Sequence, residues 1–233
     1  MPSSMSARIY ITLVALAGTA AFALALAHPA VTEPAGFAAL LVVAVITSRM
    51  KVRLPGMKAN MSVSLPFLLL ASAQMRLFPA LMIAVAATVV QSINREMSSA
   101  KLVQTLFNVA TVLLAMTAAY ALQHNFRVAG ARGFLLLLAG ATVYLLINTA
   151  LVAGVVSLTG EQNLGKAWTA IFSLTYLYYL LSATMAAVVL GFDLGWNVLL
   201  PTLVVVYGAY RSFQMYFVTM SSVMVPETAS AGD

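Results

Sequence analysis

The sequence predicts an all-α fold, a polytopic bundle of transmembrane helices. Apolar residues make up 62% of the 233 residues, and charged residues make up only 8%. A soluble domain usually carries about 25% charged residues, so this chain cannot cover a water-facing surface. Its mean hydropathy of +0.98 points the same way. The apolar side chains are therefore expected to face lipid as well as neighbouring helices.

Hydrophobic runs and the residues that interrupt them define the helical segments. The last four runs reach about 20 residues or more, which is enough to cross a hydrocarbon core of about 30 Å. The second to fourth runs are shorter or interrupted, so we expect about eight segments and six to eight true spans. The predicted segments are 9–27, 34–48, 62–75, 77–94, 102–122, 133–157, 168–190 and 197–218.

The first segment has some features of a signal peptide, because it follows one basic residue and ends near an A-x-A-like site. Its apolar run, from Ile9 to about Ala27, is longer than the usual core of about 7–15 residues. We interpret it as a retained first span, with cleavage as the alternative. Residues 1–222 then form one membrane domain, and residues 223–233 form a short polar tail.

Residues 62–94 form an interrupted stretch that is either one kinked helix or two short helices. Basic residues favour the cytoplasmic side of a membrane, and two helices separate the charges better. With two helices and a cytoplasmic N-terminus, nine basic residues are cytoplasmic and three are outside, against seven and five for one helix. Both termini are then cytoplasmic, in the inner cell membrane. The nine are Arg8, Arg49, Lys51, Arg53, Lys58, Arg95, Lys101, Lys166 and Arg211, and the three are Arg76, Arg127 and Arg132.

The net charge of +6 does not indicate a nucleic-acid partner. Four of the twelve basic residues fall within residues 49–58, in a loop that contains a Leu-Pro-Gly turn at 54–56. A basic loop between hydrophobic segments is typical of a cytoplasmic loop beside anionic lipid headgroups. The lipid bilayer is therefore the expected surrounding, and docking of a cytoplasmic protein to this loop is a further possibility.

The residues needed for most catalytic chemistry are missing from the predicted spans. The chain has no cysteine, and every Asp and Glu falls in a loop or tail. Phosphate-binding, metalloprotease and nucleophile-elbow motifs are absent as well. The sequence therefore predicts a non-enzymatic protein without a metal or other cofactor.

Polar residues within the spans are the candidates for a binding site. Gln104 and Asn108 lie one helical turn apart and share a face. Asn148 lies in the middle of the sixth segment, while Tyr176 and Tyr179 lie inside the seventh. These side chains either form interhelical hydrogen bonds, worth about 0.6–2 kcal/mol, or line a pocket for a small ligand. The residues alone leave both interpretations open.

Several stretches resemble a family of bacterial membrane regions. They are RLPGMKANMSVSLPFLLLASAQMRLFPALMIAVAATVVQSI, LFNVA, LLINTALVA and VYGAYRSFQMYF. Together they resemble the N-terminal, MASE-like sensor regions of HD-GYP and GGDEF signalling proteins, over residues 34–218. The pattern is also similar to the S components of energy-coupling-factor vitamin transporters. One departure is that Leu77-Phe78-Pro79 lacks the glycine usual at that turn.

Both resemblances imply a helical bundle with a pocket for a small ligand. The first implies a sensor or signal-input module with a cytoplasmic signalling enzyme as its partner. The second implies a substrate-binding transport subunit with an ATPase module as its partner, or a small solute transporter. A membrane enzyme acting on lipids is a third possibility, disfavoured because it needs acidic or histidine groups that are scarce here.

Overall fold

The computed structural model describes residues 5–53, 60–93, 98–125, 131–160, 163–191 and 199–223. Within these residues the fold is almost entirely helical, and each of the eight predicted segments overlaps one helix. The elements are α1 (Met5–Leu26), α2 (Pro34–Ser48), β1 (Lys51–Arg53), β2 (Asn60–Ser62), α3 (Leu65–Gln74), α4 (Leu77–Ser92), α5 (Ser99–Asn125), α6 (Ala131–Gly160), α7 (Leu164–Gly191) and α8 (Leu199–Val223). The all-α fold class is confirmed.

Proline marks the start of several helices. Pro34, Pro66, Pro79 and Pro201 all lie within the first three residues of their helices. The first turn of a helix tolerates proline because its N–H groups have no intrahelical acceptor. Four helix starts are therefore explained by local chemistry alone.

The stretch 62–94 forms two helices, and the alternative of one kinked helix is wrong. The chain breaks at Met75 and Arg76, whose backbones are extended, with ψ of 167° and 161°. The first of the two helices, α3, has only 10 residues. At 1.5 Å per residue this is about 15 Å, half the thickness of a hydrocarbon core.

Three helices in the described part of the chain are long and apolar enough to cross a membrane: Met5–Leu26, Ser99–His124 and Phe134–Gly160. The seventh helix would make a fourth if its parts, Leu164–Ser173 and Thr175–Leu190, form one span despite a bend of 44°. The expectation of six to eight spans thus stays a prediction, as does the orientation, because the loops with Arg95, Arg127 and Asp193 lie outside the described residues.

The shortest helix, α3, lies at the centre of the bundle. Eight consecutive residues, Leu65 to Ser72, are buried, so every side of the helix is covered. It packs against α7, α4, α5 and α2, while α5 and α6 pair with each other and with α1 and α7 respectively. The last helix, α8, packs mainly against α2 at the edge of the bundle.

A short antiparallel hairpin, which the sequence interpretation did not include, connects α2 to α3. Strands β1 and β2 pair in the register Lys51↔Ser62, Val52↔Met61 and Arg53↔Asn60. The predicted turn at 54–56 lies between the strands and outside the described residues. The two ends of the predicted basic loop therefore pair as strands, next to α2 and α3.

Candidate functional site

Two of the predicted site residues meet at the contact between α6 and α7. The amide Nδ2 of Asn148 donates a hydrogen bond to the hydroxyl of Tyr179 at 3.0 Å. Tyr179 is 6% exposed, and the ring of Tyr144 lies 5.8 Å from its ring. The pair thus forms a polar contact inside an aromatic cluster, as expected for an amide that must avoid lipid.

The next residue of α6 binds the other half of the bent α7. The indole Nε1 of Trp168 donates to the hydroxyl of Thr149 at 3.1 Å. Trp168 belongs to the first half of α7 and Tyr179 to the second. Adjacent residues of α6 therefore hold both halves of the bent helix. We call these four residues, Asn148, Thr149, Trp168 and Tyr179, the α6–α7 clasp.

Hydroxyl side chains that bond the helix backbone lie beside the bend in α7. Thr175 donates to the carbonyl of Ile171 at 2.9 Å, and Ser173 donates to that of Ala170 at 3.2 Å. Such bonds compete with the backbone ladder and often bend helices. The bend therefore lies between the two α7 residues of the clasp, Trp168 and Tyr179.

Tyr176 lies on the outside of the bundle. It is 48% exposed and stacks on Phe172 with ring centroids 6.0 Å apart. Phe172 in turn lies 5.5 Å from Trp168. Trp168, Phe172 and Tyr176 thus form an aromatic row with a spacing of four residues along α7. The row reaches the clasp at Trp168, and its other end, Tyr176, faces out of the bundle.

Gln104 and Asn108 lie elsewhere. Gln104 is exposed, and Asn108 is half-buried on α5. The two helices α5 and α6 run antiparallel, because Gln123 lies against Gly140 and Ala110 clusters with Leu151 and Val155. This register places Asn108 near the level of Val155, about 10 Å along the helix from Asn148. The five predicted residues therefore do not form one pocket.

Three hydrogen bonds between distant parts of the chain are not evident from the sequence. One is the bond from Trp168 to Thr149, neither of which is a predicted site residue. Tyr178 donates to the carbonyl of Ser62 at 2.7 Å and accepts from the backbone N–H of Leu65 at 3.3 Å. The seventh segment has tyrosines at 176, 178 and 179, and the sequence does not show that Tyr178 contacts another element while Tyr176 faces outward.

A second polar contact links α3 to α5. Ser72 donates to the Oε1 of Gln123 at 2.9 Å, and the Nε2 of Gln123 is buried without a hydrogen-bond partner among the described residues. A Cβ at Gly140 would lie within 3 Å of this side chain. The glutamine thus fills the space between helices, so we interpret it as a structural link.

Two cavities lie away from the clasp. One, of about 590 Å³, is an open groove along Met5, Arg8, Ile9, Thr12 and Leu13 of α1. The other, of about 10 Å³, has room for about one water molecule and is lined by Val31, Thr32, Glu33, Phe37, Gln74, Met75 and Pro79.

The chemistry available at the clasp is hydrogen bonding and stacking. Its side chains are an amide, two hydroxyls and an indole, none of which is charged at neutral pH. Within the described residues, no group of three or more His, Asp and Glu side chains could hold a metal ion. The arrangement suits recognition of a neutral or weakly polar molecule.

Comparison with known proteins gives one match. The sequence model of the MASE9 family matches residues 10–223, from the first helix to the end of the last. The comparisons with curated proteins and with solved structures give no match. The predicted MASE-like resemblance is confirmed, and sensor domains of this kind are not catalytic. The chain belongs to the MASE9 family, a family of membrane-associated sensor domains.

Proposed function

We propose that this chain is the input module of a membrane signalling system and that α8 passes the signal to a cytoplasmic signalling enzyme. The main support is the position of α8 at the edge of the bundle. Val204, Val205, Tyr207 and Met215 of this helix are all more than half exposed, with fractions from 54% to 70%. Only part of one face of α8, with Leu199 and Val206 buried, joins the core that contains α3.

A peripheral helix is well suited to transmit a signal. Elements with few buried contacts shift at low free-energy cost, whereas a packed core resists continuous deformation. A ligand that binds one arrangement better than another shifts the population of the two. Movement of α8 therefore disturbs fewer buried contacts than movement of α3 would.

We further propose that the input is a small or lipidic ligand at the α6–α7 clasp. The aromatic row from Tyr176 to Trp168 offers an apolar approach from the bilayer, and Asn148 and Tyr179 offer hydrogen bonds at its inner end. Gln104 and Asn108 belong to a different level of the bundle and would not share this ligand. Binding between the halves of α7 would change its bend of 44°.

The proposed location is the inner cell membrane, with both ends in the cytoplasm. The break at Met75 and Arg76 supports this orientation. Whether α3 and α4 cross the membrane twice or enter and turn back, the residues before α3 and after α4 stay on one side. If α3 and α4 cross twice, the basic residues divide nine to three; if they turn back, Arg76 lies within the membrane and the division is nine to two.

A substrate-binding transport subunit is the second candidate. A half-length helix buried in a bundle, such as the 10-residue α3, is also a feature of transporters that bind substrate near the membrane centre. In that case a vitamin-like solute and an ATPase partner would replace the lipidic ligand and the signalling enzyme.

Thermal unfolding of the purified protein tests both candidates. The probes are fatty acids, isoprenoid quinones and water-soluble vitamins, compared in wild type, Asn148→Leu and the control Thr142→Val, whose threonine is exposed on the same helix. A bound ligand at 100 times its Kd stabilises by about 2.7 kcal/mol. We expect a lipidic probe to stabilise wild type and T142V but not N148L.

The possible outcomes separate the two candidates. Stabilisation by a vitamin, followed by saturable uptake in cells, would favour the transport subunit over the sensor. Stabilisation of N148L equal to that of wild type would place the ligand away from the clasp. If no probe stabilises any of the three proteins, the proposed ligand class is wrong.

A further inference from the structure

The charge around the hairpin is entirely positive. Arg49, Lys51, Arg53 and Lys58 fall within ten residues of sequence, and no Asp or Glu occurs from residue 34 to residue 95. The helix that packs beside this region, α8, also has no acidic residue and carries Arg211. Nothing acidic within these elements neutralises the cluster.

The base of the hairpin is held in place by the bundle. An isolated two-stranded hairpin is marginally stable at best, and this one has three backbone pairs. Tyr178 of α7 bonds Ser62 at 2.7 Å and Leu65 at 3.3 Å, and Tyr210 of α8 donates to the carbonyl of Lys51 at 3.3 Å. The hairpin that carries the charges of β1 is therefore anchored to α7 through β2.

The basic side chains at this end of the bundle are accessible to a ligand. Arg49 directly follows α2 and is exposed, Lys51 is half-buried, and Arg211 is exposed one residue after Tyr210. The bond between Tyr210 and Lys51 brings α8 and β1 together, so Arg211 and the basic strand share one end of the bundle. Guanidinium and ammonium groups form charge-assisted hydrogen bonds to phosphate oxygens.

We propose that Arg49, Lys51 and Arg211, at the base of the hairpin, bind the headgroups of anionic phospholipids. We call Arg49, Lys51 and Arg211 the basic hairpin surface. Its cations lie beside the apolar helices α2 and α8, where lipid phosphates are within reach, and basic residues next to membrane helices attract anionic lipids. The inference does not depend on α8 acting as an output, because it concerns the lipid that stays bound.

The test measures the phospholipid that stays with the protein. Wild type is placed in nanodiscs of phosphatidylcholine and phosphatidylglycerol, and released protein is examined by native mass spectrometry. The hairpin variant is R49Q/K51Q/R211Q, and the control R8Q/K101Q/K166Q removes three charges elsewhere. Both leaflets have the same composition, so the orientation of the protein does not affect the result.

We expect wild type and the control to retain phosphatidylglycerol and the hairpin variant to retain several-fold less. Equal retention by the hairpin variant and the control would overturn the proposal. A second measurement needs no variant: phosphatidylglycerol should raise the unfolding temperature of wild type above that in phosphatidylcholine alone, and high sodium chloride should remove the gain. A gain that is absent, or that persists in high salt, would also overturn it.

Discussion

The helices α3 and α8 are both apolar, but they differ in almost every other respect. The first has 10 residues and is buried on all sides, whereas the second has 25 residues and packs mainly against α2. The short helix is too short to cross a membrane, yet it contacts more of the bundle than the long one does. Length and hydropathy therefore do not report which helix holds the fold together.

The difference in packing gives α3 and α8 different roles in the fold. A helix whose side chains are all enclosed loses many contacts when it moves, because protein interiors are closely packed. A helix with one packed face exchanges lipid contacts for other lipid contacts when it moves, at little cost. We therefore expect α3 to respond strongly to small substitutions and α8 to respond weakly.

The largest expected effect is in the core of α3. Leu69 is 0% exposed, and Val205 of α8 is 70% exposed. Leu69→Ala should lower the free energy of unfolding by about 2–5 kcal/mol, while Val205→Ala should change it by less than about 0.5 kcal/mol. The measurement is unfolding in mixed micelles by SDS titration. Equal losses of unfolding free energy for the two variants would contradict the central position of α3 in the fold.

A matched pair of glycines gives the next largest effect. A Cβ at Gly18 would lie 2.6 Å from the Cα of Ala110, whereas a Cβ at Gly208 of α8 meets nothing within 4 Å. Gly18→Ala should therefore separate α1 from α5 and destabilise by about 1–3 kcal/mol. Gly208→Ala should be neutral or stabilise by up to about 1 kcal/mol, because alanine favours a helix. The same titration checks both, and a neutral G18A would contradict the close approach of α1 and α5.

The smallest effects concern the two tyrosines that hold the hairpin. Tyr178→Phe removes bonds to Ser62 and Leu65, and Tyr210→Phe removes the bond to Lys51. We expect losses of about 1–2 kcal/mol for Y178F, which leaves backbone groups unpaired, and of about 0.5 kcal/mol for Y210F. A larger loss for Y210F, measured by SDS titration, would show that α8 is held more firmly than its packing indicates.

Much of the fold was predictable because its signals are local. Hydrophobic runs place the helices, and α2 begins and ends at the predicted residues 34 and 48. Prolines in first turns mark four of the helix starts. The break at Arg76 followed from charge counting and from the polar and proline residues around it.

Burial and pairing were less predictable because they depend on distant parts of the chain. Apolar residues that face lipid and those that face protein are equally hydrophobic, so nothing in residues 65–74 marks α3 as central. The pairing of Asn148 with Tyr179 fits the expectation that amides avoid lipid. Tyr176 and Tyr179 both lie in the second half of α7, and which of them faces α6 depends on how that half packs against the bundle.

The hairpin was missed for a related reason. Its strands, KVR and NMS, alternate between polar and apolar residues but are too short to predict a strand. Its base is held by Tyr178 and Tyr210, which lie more than 100 residues further along the chain. The positive charge of the loop was evident, but its attachment to α8 was not.

Distances between spin labels test the central claim that α8 moves against a fixed bundle. The chain has no cysteine, so pairs of introduced cysteines can be labelled without background. Ile46→Cys with Met215→Cys reports on α2 and α8, and Leu24→Cys with Leu135→Cys reports on α1 and α6; all four side chains are exposed. Pulsed electron resonance then gives each distance distribution with and without a stabilising probe.

We predict a broad α2–α8 distribution that shifts when the probe binds, and a narrow α1–α6 distribution that does not shift. An α2–α8 distribution that is as narrow as the reference, and that stays unchanged on binding, would contradict the account.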